Sequence, residues 1–180
     1  MKLNAKQLRD GKGVSAKSKR KYNSIYIILD NVLDTYNIGA IFRLADAVAA
    51  KKVIICGDSE IPPNHRIKKA SINTTEIVDW SYSETAVKAI TELRAEVKGL
   101  QVVAVELSED SVPYDKFDYS LPVALVVGHE SDGVSKEVLE ICDGIVELPM
   151  FGINISLNVM VSLGIVLYQV IEKQAIMQPQ

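Results

Sequence analysis

A chain of 180 residues with 48% apolar content and a net charge of −3 is long and hydrophobic enough for one domain with a sizeable core, and its acidic balance excludes a uniformly basic nucleic-acid binder. Cys56 and Cys142 lack metal-ligand spacing and sit beside apolar residues, so free thiols in a reducing cytoplasm are expected. No apolar signal-type segment follows the basic N-terminus, and the run 157–171 is interrupted by Asn158, Ser162, Gly164 and Gln169, which argues against a membrane span.

Residues 1–21 carry eight cations and one anion, Asp10, a surplus of +7; with a total of −3, residues 22–180 carry −10. Residues 1–22 read as a basic arm, either phosphate-seeking or simply solvated. An apolar, β-branched run at 25–29 predicts a strand covered on both faces. After the loop 30–37, Ile38, Ile41, Phe42, Ala45 and Ala49 recur at helical spacing over 38–50. A second buried strand is predicted at 52–56, then a proline-containing loop and a short basic helix around 66–70. Val87, Ile90, Leu93 and Val97 mark a helix over 84–98. Strands are predicted at 101–107, 123–127 and 144–148, a short helix capped by Ser135 over 135–141, and a last helix over 157–173. This alternation predicts an α/β fold with a mostly parallel sheet flanked by helices, whose ligands bind beyond the carboxyl ends of the strands.

Three loops at such ends carry unusual polar residues. In DNVLDTYNIGAIFR (30–43), Asn37 is placed to cap the helix, Gly39 permits close approach, and Arg43 shares a stripe with Ala40 and Ala47. In VVGHESDGVS (126–135), Gly128 and Gly133 suggest special backbone angles or ligand contact. Glu130 follows the strand and is placed to meet Arg43, and His129 reads as a neighbour. In LPMFGINISLNV (148–159), Pro149 stiffens the strand exit, Gly152 permits a turn, and Ser156 or Asn158 can cap the last helix. One capping residue is ordinary; an Asn inside a helical run is unfavourable. The sequence contains no GxGxxG, GxxxxGK[ST] or HExxH motif and no Cys/His cluster, which disfavours a Rossmann dehydrogenase, a P-loop NTPase and a zinc hydrolase.

Together the loops resemble the three motifs of the SpoU-type RNA 2′-O-ribose methyltransferases of the SPOUT class. Asn37, Gly39 and Arg43 match the first motif. Gly128 and Glu130 match the second. Leu148-Pro149-Met150, Gly152 and Ser156-Leu157-Asn158-Val159 match the third. The resemblance covers about residues 24–172. It implies a methyltransferase domain over 23–175 between the arm and a short tail, 176–180, with a C-terminal deep trefoil knot, a homodimer and a cytoplasmic location. It further implies S-adenosylmethionine as co-substrate, no metal, and tRNA or rRNA rather than DNA as partner, since the acceptor is a 2′-hydroxyl. Arg43 is then the residue expected to activate that hydroxyl or to stabilise its developing charge, oriented by Glu130. Asn37, Ser156 and Asn158 are expected to position Arg43, the ribose or a phosphate. Val105, Gly128, Leu148, Met150, Gly152 and Leu157 are expected around the cofactor. Arg66, Lys68 and Lys69 are expected to add RNA affinity. A non-catalytic RNA-binding or ribosome-assembly protein of the same fold is the alternative, and intact Arg43, Glu130 and Asn158 speak against it.

Overall fold

The computed structural model describes residues 21–177. The basic arm therefore lies, but for Lys21 and Tyr22, outside the described residues, as does most of the tail. Seven parallel strands form one sheet in the order β3-β2-β1-β6-β4-β7-β5. They are β1 (Asn23–Asp30), β2 (Ala50–Cys56), β3 (Trp80–Ser83), β4 (Gln101–Val105), β5 (Val112–Pro113), β6 (Val123–Gly128) and β7 (Gly144–Glu147). The helices are α1 (Thr35–Ala47), α2 (His65–Ser71), α3 (Ala86–Glu96), α4 (Lys136–Leu139) and α5 (Val159–Met177), with a 3₁₀ turn at Thr74–Glu76.

Strand alternation sorts the core into two layers. Ile25, Ile27 and Leu29 of β1 face Ile38, Ile41, Phe42 and Ala45 of α1 and Leu163, Val166, Leu167 and Val170 of α5. Tyr26 and Ile28 face Ala86, Ala89, Ile90 and Leu93 of α3 and Val138 of α4. Both sheet faces are covered, so β1 is apolar from Ile25 to Leu29 and β6 is apolar throughout, as the continuous runs predicted.

The strands predicted from apolar runs are present. Two further strands, β3 and β5, were not anticipated: β3 is WSYS and β5 is a Val-Pro dipeptide, so neither has an apolar run to detect. Helix α1 occupies 35–47 rather than 38–50. Asp34 is its cap, accepting from the N–H groups of Tyr36 (2.6 Å) and Asn37 (3.2 Å), and Ala50 already belongs to β2. Asn37 is thus not the cap. Ser135 precedes α4 without a side-chain capping bond; its N–H instead donates to the buried carboxylate of Asp30 at 2.9 Å. Burial raises the thiol pKa of Cys56 to about 12 and that of the partly buried Cys142 to about 11. Neither cysteine is in a disulfide. No helix among the described residues is long and apolar enough to cross a membrane.

Candidate active site

Parallel register places Asp30, Cys56 and Gly128 in one row at the carboxyl edge of the sheet. Beyond that edge, around the exits of β4, β6 and β7, lies a cavity of about 560 Å³. This is within the range of small-molecule and cofactor sites. Its walls include Val105, Gly128, Leu148, Met150 and Leu157, with Glu130, Ser156 and Asn158 supplying polar groups. Gly152 is not on the wall: a side chain there would meet nothing within 4 Å. Asn37 and Arg43 do not line the cavity either.

Asn37 is nevertheless joined to it. Its Nδ2 donates to Glu130 Oε1 at 3.0 Å, and its Oδ1 accepts from Asn158 Nδ2 at 3.0 Å. Asn158 Oδ1 in turn accepts from the N–H groups of Met160 (3.0 Å) and Val161 (3.4 Å). Asn158 therefore stands immediately before α5 as its cap rather than inside the helical run, which removes the unfavourable placement inferred from the sequence. Each amide has one orientation consistent with these partners. Asn158 must turn its oxygen to the helix, so its NH₂ meets the Asn37 oxygen and the Asn37 NH₂ meets the carboxylate. One polar chain thus ties together all three motif loops.

Glu130 does not pair with Arg43. Its carboxylate accepts from the N–H groups of Leu33 (3.2 Å) and Asp34 (3.0 Å) as well as from Asn37. Partial burial opposes its ionisation, but the hydrogen bonds from Asn37, Asp34 and Leu33 outweigh it and hold the carboxyl below its ordinary value. An acid so stabilised as its anion is a weak proton acceptor; the geometry makes it a brace for the loop before α1. Arg43 is exposed and makes no hydrogen bond or ion pair with a described residue. The backbone of the turn from β1 into α1, with Asn37, satisfies Glu130 more fully than one flexible guanidinium would.

A depressed carboxylate pKa stabilises the fold above the unfolded value of about 4.3, and that contribution is lost as pH falls through the lower folded value. Glu130→Gln is therefore expected to melt below the wild type at neutral pH, with the gap closing below about pH 4. Melting curves across pH test this; a gap that is the same at pH 7 and pH 3 would show that the charge contributes nothing.

The loop after β6 is closed by its own glycines. His129 and Gly133 pair through N–H···O bonds of 3.0 Å in both directions. A side chain on Gly128 would collide with the backbone of Gly133 and Val134, and one on Gly133 (φ +71°) with the Glu106 carboxylate. The close approach that demands glycine at 128 is thus within the loop. His129 Nδ1 accepts from the N–H groups of Ser131 and Asp132 at 3.1 Å each, a turn-forming role.

Sequence reasoning missed Glu106 and Glu147, both on the cavity wall. Glu106 accepts from Val134 N–H at 2.7 Å and from Leu107 N–H at 2.9 Å, fastening the β6 loop to the β4 exit. Glu147 accepts from Ser111 Oγ at 2.9 Å. The available signal was position: each carboxylate lies at a strand's carboxyl end. Among the described residues no group of three or more His, Cys, Asp or Glu side chains is placed to hold a metal.

A parallel sheet with a cavity beyond its carboxyl edge, walled by glycine-bearing loops, is the arrangement of an α/β protein that binds ligands at its strand ends. The family model described as the SpoU rRNA Methylase family matches residues 24–168, and the chain belongs to that family. A tRNA (guanosine(18)-2′-O)-methyltransferase of Aquifex aeolicus is 35% identical over 155 residues, covering 84% of this chain and 70% of the relative. A 23S rRNA (guanosine-2′-O-)-methyltransferase of Ralstonia nicotianae is 30% identical, covering 84% of this chain and 60% of the relative. The crystal structure of the A. aeolicus TrmH/SpoU tRNA modifying enzyme matches with a TM-score of 0.75 at 31% identity, over 86% of this chain and 77% of that one. An AdoMet-bound rRNA methyltransferase from Sinorhizobium meliloti matches with a TM-score of 0.78 at 30% identity, over 85% of this chain and 57% of that one. The chain spans only part of the length of each.

Proposed function

We propose that this protein is an S-adenosylmethionine-dependent 2′-O-ribose methyltransferase of tRNA or rRNA, acting in the cytoplasm through the domain spanning 23–175. The observation that carries this reading is the Glu130–Asn37–Asn158 chain at the cavity, which binds the three family motifs into one site. The cofactor fits what is present: the cavity, about 560 Å³, lies within the range of cofactor sites, and its wall includes the strand exits at Val105, Gly128 and Leu148 together with Met150 and Leu157. When bound, S-adenosylmethionine supplies an already activated methyl group.

The chain's own residues have two tasks. They must hold the ribose hydroxyl in line with the donor, and they must make a poorly acidic hydroxyl nucleophilic. Asn158 and Ser156 present polar groups at the cavity, and Asn37 and Glu130 keep Asn158 and the 33–37 loop in place. Arg43, with no competing hydrogen-bond or ion-pair partner among the described residues, supplies positive charge for a phosphate or for the developing alkoxide.

The assembly is proposed to be a homodimer. Support comes from Phe151 (97% exposed), Ile153 (100%) and Ile155 (79%), continued by exposed Val161, Ile165 and Tyr168 on one face of α5. An apolar surface of this extent is expected to be covered by a partner. The C-terminal segment is proposed to adopt the family's deep trefoil knot; its support is the match to the A. aeolicus TrmH/SpoU structure over 86% of this chain. Calorimetry with S-adenosylmethionine tests the cofactor, and sedimentation tests the dimer. Saturable binding by a dimer is expected; no heat at millimolar ligand, or a stable monomer at micromolar protein, would refute the corresponding feature.

A further inference from the structure

We propose that α2 is a phosphate clamp for the RNA substrate, set against α1 so that the bound strand runs past Arg43. This rests on the RNA-methyltransferase reading.

Helix α2 contains no carboxylate and exposes His65, Arg66, Lys68 and Lys69, while Ile67 and Ser71 are buried. Three of the twelve Lys and Arg residues outside residues 1–21 thus fall in four consecutive positions, on a body carrying −10. A local positive surface on an otherwise acidic domain fits a polyanion that must be gripped at one place. Lys68 is engaged by Glu76 at 3.4 Å. Arg66 and Lys69, one helical turn apart, form no ion pair with a described residue.

The placement of α2 is rigid. Gly39 of α1 sits directly on it: a Cβ at Gly39 would lie 2.5 Å from Ala70 Cβ, 2.8 Å from the Ile67 carbonyl oxygen and 3.0 Å from the Ser71 nitrogen. Arg43 is four residues after Gly39, so it lies on the same stripe of α1, one turn further along. Asn64 caps the start of α2. At its end Ile72 and Asn73 both adopt left-handed angles (φ 50° and 64°), and Thr74 Oγ1 donates to the Ser71 carbonyl at 2.8 Å. The loop leading into α2 is also tied to the loop before α1, since Asp58 N–H donates to Asn31 Oδ1 at 3.1 Å. The cations of α2 and Arg43 therefore stand on two helices packed directly against each other.

The test uses the full chain and unfractionated tRNA, because phosphate contacts act on any RNA. Each contact contributes a slope of about −0.7 to −0.9 in log affinity against log salt. The double variant Arg66→Ala/Lys69→Ala should shallow the slope by about 1.4 to 1.8 and weaken binding about tenfold or more at 0.1 M salt. Lys88→Ala/Lys98→Ala, in and after α3 on the other sheet face, should leave the slope unchanged. Both variants should bind S-adenosylmethionine like the wild type. An unchanged slope in the α2 variant, or an equal fall in the α3 variant, would overturn the clamp alone. A wild-type protein that binds no tRNA would overturn the RNA reading with it.

Discussion

Arg43→Ala is expected to yield a folded, cofactor-competent protein whose methyl transfer has fallen by about 10²-fold or more, the range for losing an electrostatic or acid–base group. Stability should barely change, because Arg43 is exposed and makes no hydrogen bond or ion pair with a described residue. Truncation removes neither core area nor a partner for a buried group, so the melting temperature should stay within the range of ordinary surface substitutions, roughly ±0.5 kcal/mol. A charged side chain unpaired among the described residues, on a helix whose neighbouring loop is braced by Glu130, is positioned for a ligand. Melting curves, cofactor calorimetry and a single-turnover transfer rate measured on the same preparation check the three parts. A near-normal rate with normal binding would show that the chemistry does not run through residue 43.

Gly128→Val is expected to be the most damaging single change for the fold of the site. The sequence suggested that glycine there admits a ligand. The structure shows instead that a β-carbon at 128 would occupy the space of the Gly133 backbone and the Val134 nitrogen. To accept it the loop must open, losing the His129–Gly133 pairing, the bond from Val134 N–H to Glu106 and that from Ser135 N–H to Asp30. Overpacking of this kind costs about 1–3 kcal/mol or more, which for a chain of this size corresponds to a fall of several degrees in Tm, roughly 2–4 °C per kcal/mol. Cofactor binding should fall with it, because the displaced loop is a cavity wall. Gly152→Val, where nothing lies within 4 Å, is the stability control and should melt like the wild type. Equal melting of the two variants would disprove the collision.

What the sequence disclosed depended on how local the signal was. Continuous apolar strands and the periodicity of α1 and α3 are local, and they located the sheet and its helices. The edge strands β3 and β5 owe their conformation to hydrogen bonds from a neighbouring strand, which no short window contains. The site residues 37, 130 and 158 were legible as motifs. Their pairing was not, because polar partners far apart in sequence are chosen by competition among donors. Asp34 is as good a cap as Asn37, and once it takes that role Asn37 is free to bridge Glu130 and Asn158. Glu130 likewise finds two backbone N–H groups and an amide closer than Arg43. Glu106 escaped notice because it reads as the end of a strand; its importance comes from the space left by Gly133, which lies 27 residues away.

The central claim, methyl transfer to a ribose hydroxyl, is tested most directly by incubating the purified protein with isotopically labelled S-adenosylmethionine and total RNA, then digesting the RNA for nucleoside mass spectrometry. The expected result is label in a 2′-O-methylated nucleoside from tRNA or rRNA, formed about 10²-fold or more slowly by Arg43→Ala and absent when DNA replaces RNA. Label confined to a base methyl group, or no labelled nucleoside from a protein that binds both cofactor and RNA, would contradict it.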